Sequence, residues 1–489
     1  MLPTGPRRAR NHAASLFHGT IQRPDRRHRQ LGSPGVWADR HPHRIVVAHR
    51  SAVPRRHKTS ARRAVTRCGA PFPPCVRSVA MPASAAPPAS DRDGRPSVRG
   101  RLPALLLMAG SCLPILGAVL IAPVLPRMQD HFDSADGSAA LVPLVLTVPA
   151  LSLAVLAPFA GVLVDRLGRK RLLVVSTVLY ALFGTAPLWL SSLYAILFSR
   201  VLVGIAEAAI MTCCTTLIGD YYTGRVRDRY LALQTMCASA SATVFFVLGG
   251  AMGSAGWKAP FWLYAIGLLL APVMARTLPV PRSAAREQEE TVPRPFPVRR
   301  LAGICALTVF GAIVFYTVPV EMSYLLDDAG VTSTGVVGGV TALASAATVA
   351  GSVLFTRLDA RPLRRLPATF LLCAAGFLLM AATDHVAVLV VGAVVNCVGT
   401  GLLLPSLLTL ALSRLDFADR GRGTGLWTAA FFLGEFLCPL VLLAGKSGLG
   451  TLAPAVGVLG LLTALVAAVL VPLTRRGARP VASPAPESL

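Results

Sequence analysis

From Ala139 to Leu163 the chain carries no charged side chain, and from Leu172 to Leu197 it carries none again. Each run exceeds the roughly 20 residues that an α-helix needs to cross about 30 Å of hydrocarbon. The residues between them, Asp165-Arg166-Leu167-Gly168-Arg169-Lys170-Arg171, form a compact charged turn. Inside lipid an unsatisfied backbone N–H or C=O is so costly that a crossing segment must satisfy its own backbone as a helix. Two such runs joined by a charged hairpin therefore predict two antiparallel membrane helices.

The pattern repeats along the chain. From Leu102 onward, apolar runs alternate with short turns at 103–125, 138–163, 172–190, 193–219, 230–252, 259–275, 301–321, 332–354, 366–383, 386–411, 424–445 and 452–473. The fold class this predicts is an all-α membrane protein with twelve transmembrane helices. Loop charge tests the count independently, because cytoplasmic loops are enriched in Lys and Arg. One alternating set of loops, with the C-terminal tail, holds 23 basic residues, whereas the opposite set holds only Arg127, Lys258 and Lys446. That asymmetry predicts an even number of spans, with both termini on the cytoplasmic side of a plasma membrane.

Composition agrees. Of 489 residues 54% are hydrophobic and only 15% charged, with a mean hydropathy of +0.60, whereas soluble domains carry about 25% charged residues. The formal charge of +25 does not argue for a nucleic-acid partner, because residues 1–80 alone hold 17 basic side chains against Asp25 and Asp39. Arginine dominates that charge, with lysine only at Lys58, Lys170, Lys258 and Lys446, a bias expected of a GC-rich coding sequence. The ten cysteines show no CxxC or other metal-ligand spacing, so no metal, cofactor or disulfide framework is expected.

Residues 1–100 are rich in Arg, Pro, His and Ala and cannot bury enough apolar surface to offset the entropy of ordering. They are expected to form a disordered basic tail, with Met81 a candidate for the true start. Residues 101–277 would form a first six-helix bundle and 278–299 a cytoplasmic central loop. A second bundle would cover 300–474, followed by a cytoplasmic tail at 475–489. The charged turn after the second span has a weaker copy after the eighth, Arg357-Leu-Asp359-Ala-Arg361-Pro-Leu-Arg364-Arg365. Such a repeat is the trace expected of two duplicated, pseudo-symmetric bundles.

The stretch Gly161-x-x-x-Asp165-Arg166-x-Gly168-Arg169-Lys170 matches, in residue type and spacing, the signature between spans two and three of the major facilitator superfamily of secondary transporters. The resemblance covers about residues 100–475. Span four carries Arg200-x-x-x-Gly204-x-x-x-Ala208, and Gly256-Trp257-Lys258-Ala259-Pro260-Phe261-Trp262 leads into span six. Both are similar to patterns in the superfamily's drug:proton antiporter branch. Two departures stand against that branch: Val203 replaces a frequent Gln, and Leu248-Gly249-Gly250-Ala251-Met252-Gly253 lacks the Gly-Pro pair of its fifth span. The resemblance implies that Gly161, Asp165, Arg166, Gly168, Arg169 and Lys170 belong to a conformational latch. In it Asp165 would face the start of span eleven and Arg169 would pair with Asp220.

Charged side chains inside the spans are few, and each costs at least about 2.5–3.5 kcal/mol to insert. Arg200, Gly204, Glu207, Ala208 and Met211 recur at helical spacing and share one face of span four. Glu207, near mid-membrane, is either a proton-exchanging carboxylate or one half of a buried Arg200–Glu207 pair that fixes helix packing. Glu435 in span eleven has the same two readings. Glu321, next to Pro319, falls at the expected outer end of span seven, where it reads as a rim or solvated residue. Asn396 in span ten reads as a ligand contact or a helix–helix hydrogen bond. Gly249 and Gly253 make a Gly-x-x-x-Gly packing face. The aromatics Phe245, Phe246, Phe315, Tyr316, Trp427, Phe431 and Phe432 either line a binding cavity or face lipid.

These features predict a monomeric transporter in the lipid bilayer that takes a small molecule, uses a proton gradient and needs no cofactor. Proton-coupled efflux of small amphipathic compounds is the expected task, and proton-coupled uptake of a sugar or other metabolite is the alternative. An enzyme is not expected, because no cluster of His, Cys or carboxylates occupies one membrane face.

Overall fold

The computed structural model describes residues 101–280, 298–358, 362–415 and 419–476. The expectations for the N-terminal tail and Met81, for most of the central loop, for Asp359 and Arg361 in the second charged turn, and for the end of the chain lie outside these residues. Within them, twelve helices are long and apolar enough to cross a membrane. They are α1 Leu102–His131, α2 Ser138–Leu156, α3 Arg169–Leu188, α4 Leu193–Tyr221, α5 Gly224–Gly253 and α6 Ala259–Thr277. The second set is α7 Val298–Asp328, α8 Thr334–Arg357, α9 Arg364–Ala381, α10 Val386–Ser413, α11 Arg420–Leu449 and α12 Leu452–Pro472. No strand occurs among the described residues.

The two halves repeat one packing scheme. In the first, α4 lies against α1, α2 and α3, α5 against α1, and α3 against α6. In the second, α10 lies against α7, α8 and α9, α11 against α7, and α9 against α12. Each contact of one set becomes a contact of the other when six is added to the helix number. The halves meet at α5 with α8 and at α2 with α11, and these two contacts exchange under the same shift. This is the twelve-helix, two-bundle fold that the apolar pattern predicts.

Small residues set the closest approach at the first of these junctions. A Cβ on Gly250 would fall 2.5 Å from the Thr334 carbonyl oxygen and 2.8 Å from the Gly338 Cα. Side chains such as Leu269 and Phe198 stay 72% and 64% exposed, as expected of faces that lie against lipid tails.

Several boundaries differ from the sequence pattern, and two of the shifts move charged residues into helices. Helix α5 begins at Gly224, whose φ of 55° opens the turn, so Arg225, Arg227 and Arg229 ride on its first turns rather than in a loop. Helix α7 continues to Asp328, so Glu321 lies inside it and not at a solvated end. Pro319 stays inside α7, because a membrane helix loses only one backbone hydrogen bond at a proline, and packing neighbours tolerate the loss. Helices α3 and α6 each contain a 3-10 segment, at Ala186–Leu188 and Ala259–Ala265.

Candidate functional site

Two proline-linked breaks in the helices prepare the site. Pro149 lies inside α2 and has no N–H, so the Val145 carbonyl four residues earlier lacks its usual intrahelical donor. In α1 the α-helix lapses after Val119, and a 3-10 turn at Ala122–Val124 follows. The Gly117 and Ala118 carbonyls just before this break accept hydrogen bonds from side chains of other helices.

Arg200 on α4 is fully buried and serves both breaks. Its Nε donates to the Val145 carbonyl at 3.2 Å, and its Nη2 donates to the Gly117 carbonyl at 3.2 Å and to the Tyr264 hydroxyl at 2.8 Å. The guanidinium also sits 5.0 Å from the Tyr264 ring centroid, within cation–π range. Tyr180 on α3 packs its ring 5.2 Å from that of Tyr264 and donates to the Leu113 carbonyl at 2.7 Å. Gly204 lets α4 reach this depth, because a Cβ there would fall 2.6 Å from backbone atoms of Pro149. Ala208, also buried, is the other small residue on this face.

Glu207 lies two turns further along the same face and is 1% exposed. Its Oε1 rests directly against Gly117, where any Cβ would collide with it. That oxygen and Arg200 Nη1 are both buried without a hydrogen-bond partner. The direct Arg200–Glu207 pair considered from sequence is not formed, since the hydrogen bonds of Arg200 go to the Val145 and Gly117 carbonyls and the Tyr264 hydroxyl. Seven residues of helix amount to about 10.5 Å of rise, and the freed carbonyls lie nearer the guanidinium.

The second half brings buried carboxylates of its own. Glu435 on α11 is 5% exposed and Glu321 on α7 is 6% exposed. Glu435 lies close enough to Glu207 for the two to act on one another electrostatically, and Tyr316 lies within reach of both. Tyr316 crosses between the halves, donating its hydroxyl to the Ala118 carbonyl freed by the break in α1. Next to Glu435, Gly434 allows α11 to approach Ala312 of α7, whose Cβ would stand 2.6 Å from an added one.

An aromatic wall begins one turn before Glu435. The Trp427 and Phe431 rings stack at 5.8 Å with planes 8° apart, and Phe315 of α7 lies 5.8 Å from Phe431. Phe432 meets Phe431 edge-on at 5.4 Å. These rings are half-buried. Phe246, in contrast, is buried in the core, and Phe245 packs against it from a half-buried position.

Asn396 is not part of this cluster. It is buried on α10 and donates to the Cys373 carbonyl of α9 at 3.1 Å, a link between two helices of the second half. Gly249 and Gly253 press on Leu120 and Val124 of α1. At the end of the bundle that carries Arg169, Gly168 adopts φ 82° between the short helix Ala160–Leu167 and α3. Arg169 pairs there with Asp220 at the end of α4. Arg166 is exposed, Lys170 is half-buried, and Gly161 has open space around it; the Asp165 side chain lies outside the described part of the structure. Helix α2 does meet α11 here, since a Cβ on Gly425 would stand 3.5 Å from the Ala157 carbonyl oxygen.

Sequence reasoning missed Tyr180 and Tyr264, and it read Tyr316 only as a ring that lines a cavity or faces lipid. Each acts through a partner more than 60 residues away, and no periodicity marks such a contact. Pro149 announces the freed Val145 carbonyl that Arg200 takes, but no proline stands four residues after Leu113, Gly117 or Ala118 to announce the carbonyls that the tyrosines reach.

No group of three or more His, Cys, Asp or Glu suited to a metal ion occurs among the described residues.

Twelve helices in two exchangeable halves around a buried polar cluster define a multi-pass membrane protein of transporter type. Residues 107–439 match the Major Facilitator Superfamily, and the chain belongs to it. The class C tetracycline resistance protein of Escherichia coli is 32% identical over 169 residues, covering 33% of this chain and 41% of that protein. The chain spans less than half the length of the curated relatives it matches. The crystal structure of a bacterial homologue of the human lysosomal transporter Spinster, inward-facing and occupied, superposes with a TM-score of 0.60 at 17% identity. The superposition covers 76% of this chain and 96% of that one. A D-xylose-proton symporter gives a TM-score of 0.60 at 15% identity, covering 76% and 98%. At these identities the superpositions speak to the fold alone.

Proposed function

We propose that this protein is a secondary transporter that exports small amphipathic compounds in exchange for protons by alternating access. One observation carries the reading: Glu207 and Glu435, from opposite halves, are buried within electrostatic reach of each other, and no described side chain forms an ion pair with either. Intramembrane carboxylates are retained where they do work. A pair that spans the junction of two moving halves would gain and lose protons as the halves rock. The aromatic wall of Phe315, Trp427 and Phe431 offers a flat apolar platform one turn from Glu435. Arg200, the cation of the cluster, commits Nε and Nη2 to backbone carbonyls and Tyr264 and keeps only Nη1 without a partner, which leaves little to bind a sugar phosphate or dicarboxylate. The resistance protein among the relatives supports export.

In this reading the Arg169 end faces the cytoplasm of a plasma-membrane protein that works as a monomer. Gly161 to Lys170, with Asp220, holds that end closed in one state. The test is purified protein in proteoliposomes with an imposed pH gradient and a panel of lipophilic cations, neutral amphipaths and sugars. Gradient-driven movement of the amphipaths supports the reading, and uptake of a sugar with no movement of amphipaths rejects it.

A further inference from the structure

Glu321 plays no part in the arrangement of Arg200, Glu207 and Glu435, yet it is 6% exposed inside α7 with no hydrogen bond or ion pair to a described residue. Its surroundings form a line. On α7, Thr317, Glu321, Leu325 and Asp328 stand at i, i+4, i+8 and i+11. On α11, Glu435, Cys438, Leu442 and Lys446 stand at i, i+3, i+7 and i+11. Each set shares one helix face, and the two helices pack together. As odd-numbered spans they run in the same direction. Thr317 Oγ1 and Cys438 Sγ meet at 3.6 Å, which fixes the register between them.

From that meeting point the rise of 1.5 Å per residue sets the levels. Glu435 lies about 4.5 Å toward the Arg169 end, while Glu321 lies about 6 Å and Lys446 about 12 Å toward the Arg127 end. There a cavity of about 490 Å³ opens, lined by Leu325, Asp328, Asp384 and Lys446 among others. Lys446 is within electrostatic reach of Glu321, and Cys438 is within reach of both carboxylates. Tyr324, one turn on from Glu321, has a buried hydroxyl with no partner. The charged and titratable groups facing Glu321 are thus Lys446, Cys438 and Tyr324, and those facing Glu435 are Cys438, Tyr316 and Glu207.

We propose that α7 and α11 form a proton route through the second half, from the cavity at Lys446 and Asp328 to Glu321, and from Glu321 to Glu435 beside Glu207. The proposal rests on the proton-exchange reading above and adds where the proton comes from. In the step itself the O–H bond of the Glu321 carboxylic acid breaks. Its proton passes through hydrogen-bonded water along the Thr317 hydroxyl and Cys438 thiol, and a new O–H bond forms on the Glu435 carboxylate. Glu321, left as a carboxylate, takes its next proton from a hydronium ion in the cavity, which is left as water. Glu321 is a relay and touches no cargo.

The test needs no substrate. The full chain in lipid nanodiscs is followed by time-resolved infrared spectroscopy after a downward pH jump, with the carboxylic acid bands assigned by subtraction of Glu321→Gln and Glu435→Gln. Protonation of Glu435 is expected to slow about 100-fold in Glu321→Gln, the size of a lost proton-transfer group. It should slow about tenfold in Thr317→Val, the size of one lost hydrogen bond, and stay near the wild-type rate in Glu321→Asp. Should Glu321→Gln fail to fold, Thr317→Val decides. A wild-type rate of Glu435 protonation in both variants overturns the route while leaving gradient-driven transport in proteoliposomes intact. A Glu435 that never protonates, together with no gradient-driven transport, overturns the route and the proton-exchange reading alike.

Discussion

The acidic groups of the two halves live in opposite surroundings. Glu207 shares its helix face with a guanidinium whose three hydrogen bonds tie α4 to α1, α2 and α6, and its Oε1 is sealed against Gly117. Glu435 and Glu321 have no such anchor: they lie on the α7–α11 seam, and Lys446, which is within electrostatic reach of Glu321, lines the cavity. The difference teaches a division of labour. The first half holds a fixed positive charge that also repairs two helix breaks, and under the proposed function the second half neutralises its carboxylates by protons that come and go.

The largest expected effect breaks the anchored side. Arg200→Ala leaves the Val145 and Gly117 carbonyls and the Tyr264 hydroxyl without their donor, and should cost on the order of 3–5 kcal/mol, read as a fall in thermal midpoint in detergent. Glu435→Gln should cost no more than about 1 kcal/mol on the same measurement. Equal costs would erase the contrast between the halves. Next in size is Gly250→Ala at the α5–α8 junction, where the new methyl group meets the Thr334 carbonyl. Overpacking of this kind costs about 1–3 kcal/mol, and disulfide cross-linking of cysteines placed on α5 and α8 should report a lower yield. Tyr316→Phe removes the bond to the Ala118 carbonyl that joins the two halves beside the carboxylates. A loss of about 1 kcal/mol is expected, with Glu207 and Glu435 less strongly coupled in their titration. Smallest of all, Arg169→Ala breaks a pair whose side chains are 27% and 24% exposed and should cost less than about 1 kcal/mol. Any effect it has on transport rate would therefore come from the balance between conformers, measurable as a change in turnover at unchanged thermal midpoint.

Much of the fold is legible in the sequence because lipid leaves a chain few choices. Apolar runs of the right length, with arginine concentrated in alternate loops, specify the twelve helices before any packing is known. What the pattern loses are positions where packing overrides composition. The apolar run reads as ending at Glu321, yet α7 carries on to Asp328, and Glu321 is thereby moved from a rim into the core. Arg225, Arg227 and Arg229 read as a loop, yet a helix needs no apolar residues once it leaves the hydrocarbon. At the site, Arg200 and Glu207 stand out by charge alone. Their separation does not, because a shared helix face says nothing about whether backbone carbonyls freed by Pro149 will take the guanidinium first. Tyr264, Tyr180 and Tyr316 are legible only in three dimensions, since each hydroxyl serves a carbonyl or side chain on a helix remote in the sequence.

The central claim, that buried carboxylates of both halves exchange the coupling protons, is tested most directly by gradient-driven flux of a lipophilic cation in proteoliposomes of Glu207→Gln, set beside its exchange at equal pH. The account expects the gradient-driven flux to vanish while equal-pH exchange persists, because the halves still rock but no proton is carried. Gradient-driven flux at the wild-type rate in Glu207→Gln would contradict it.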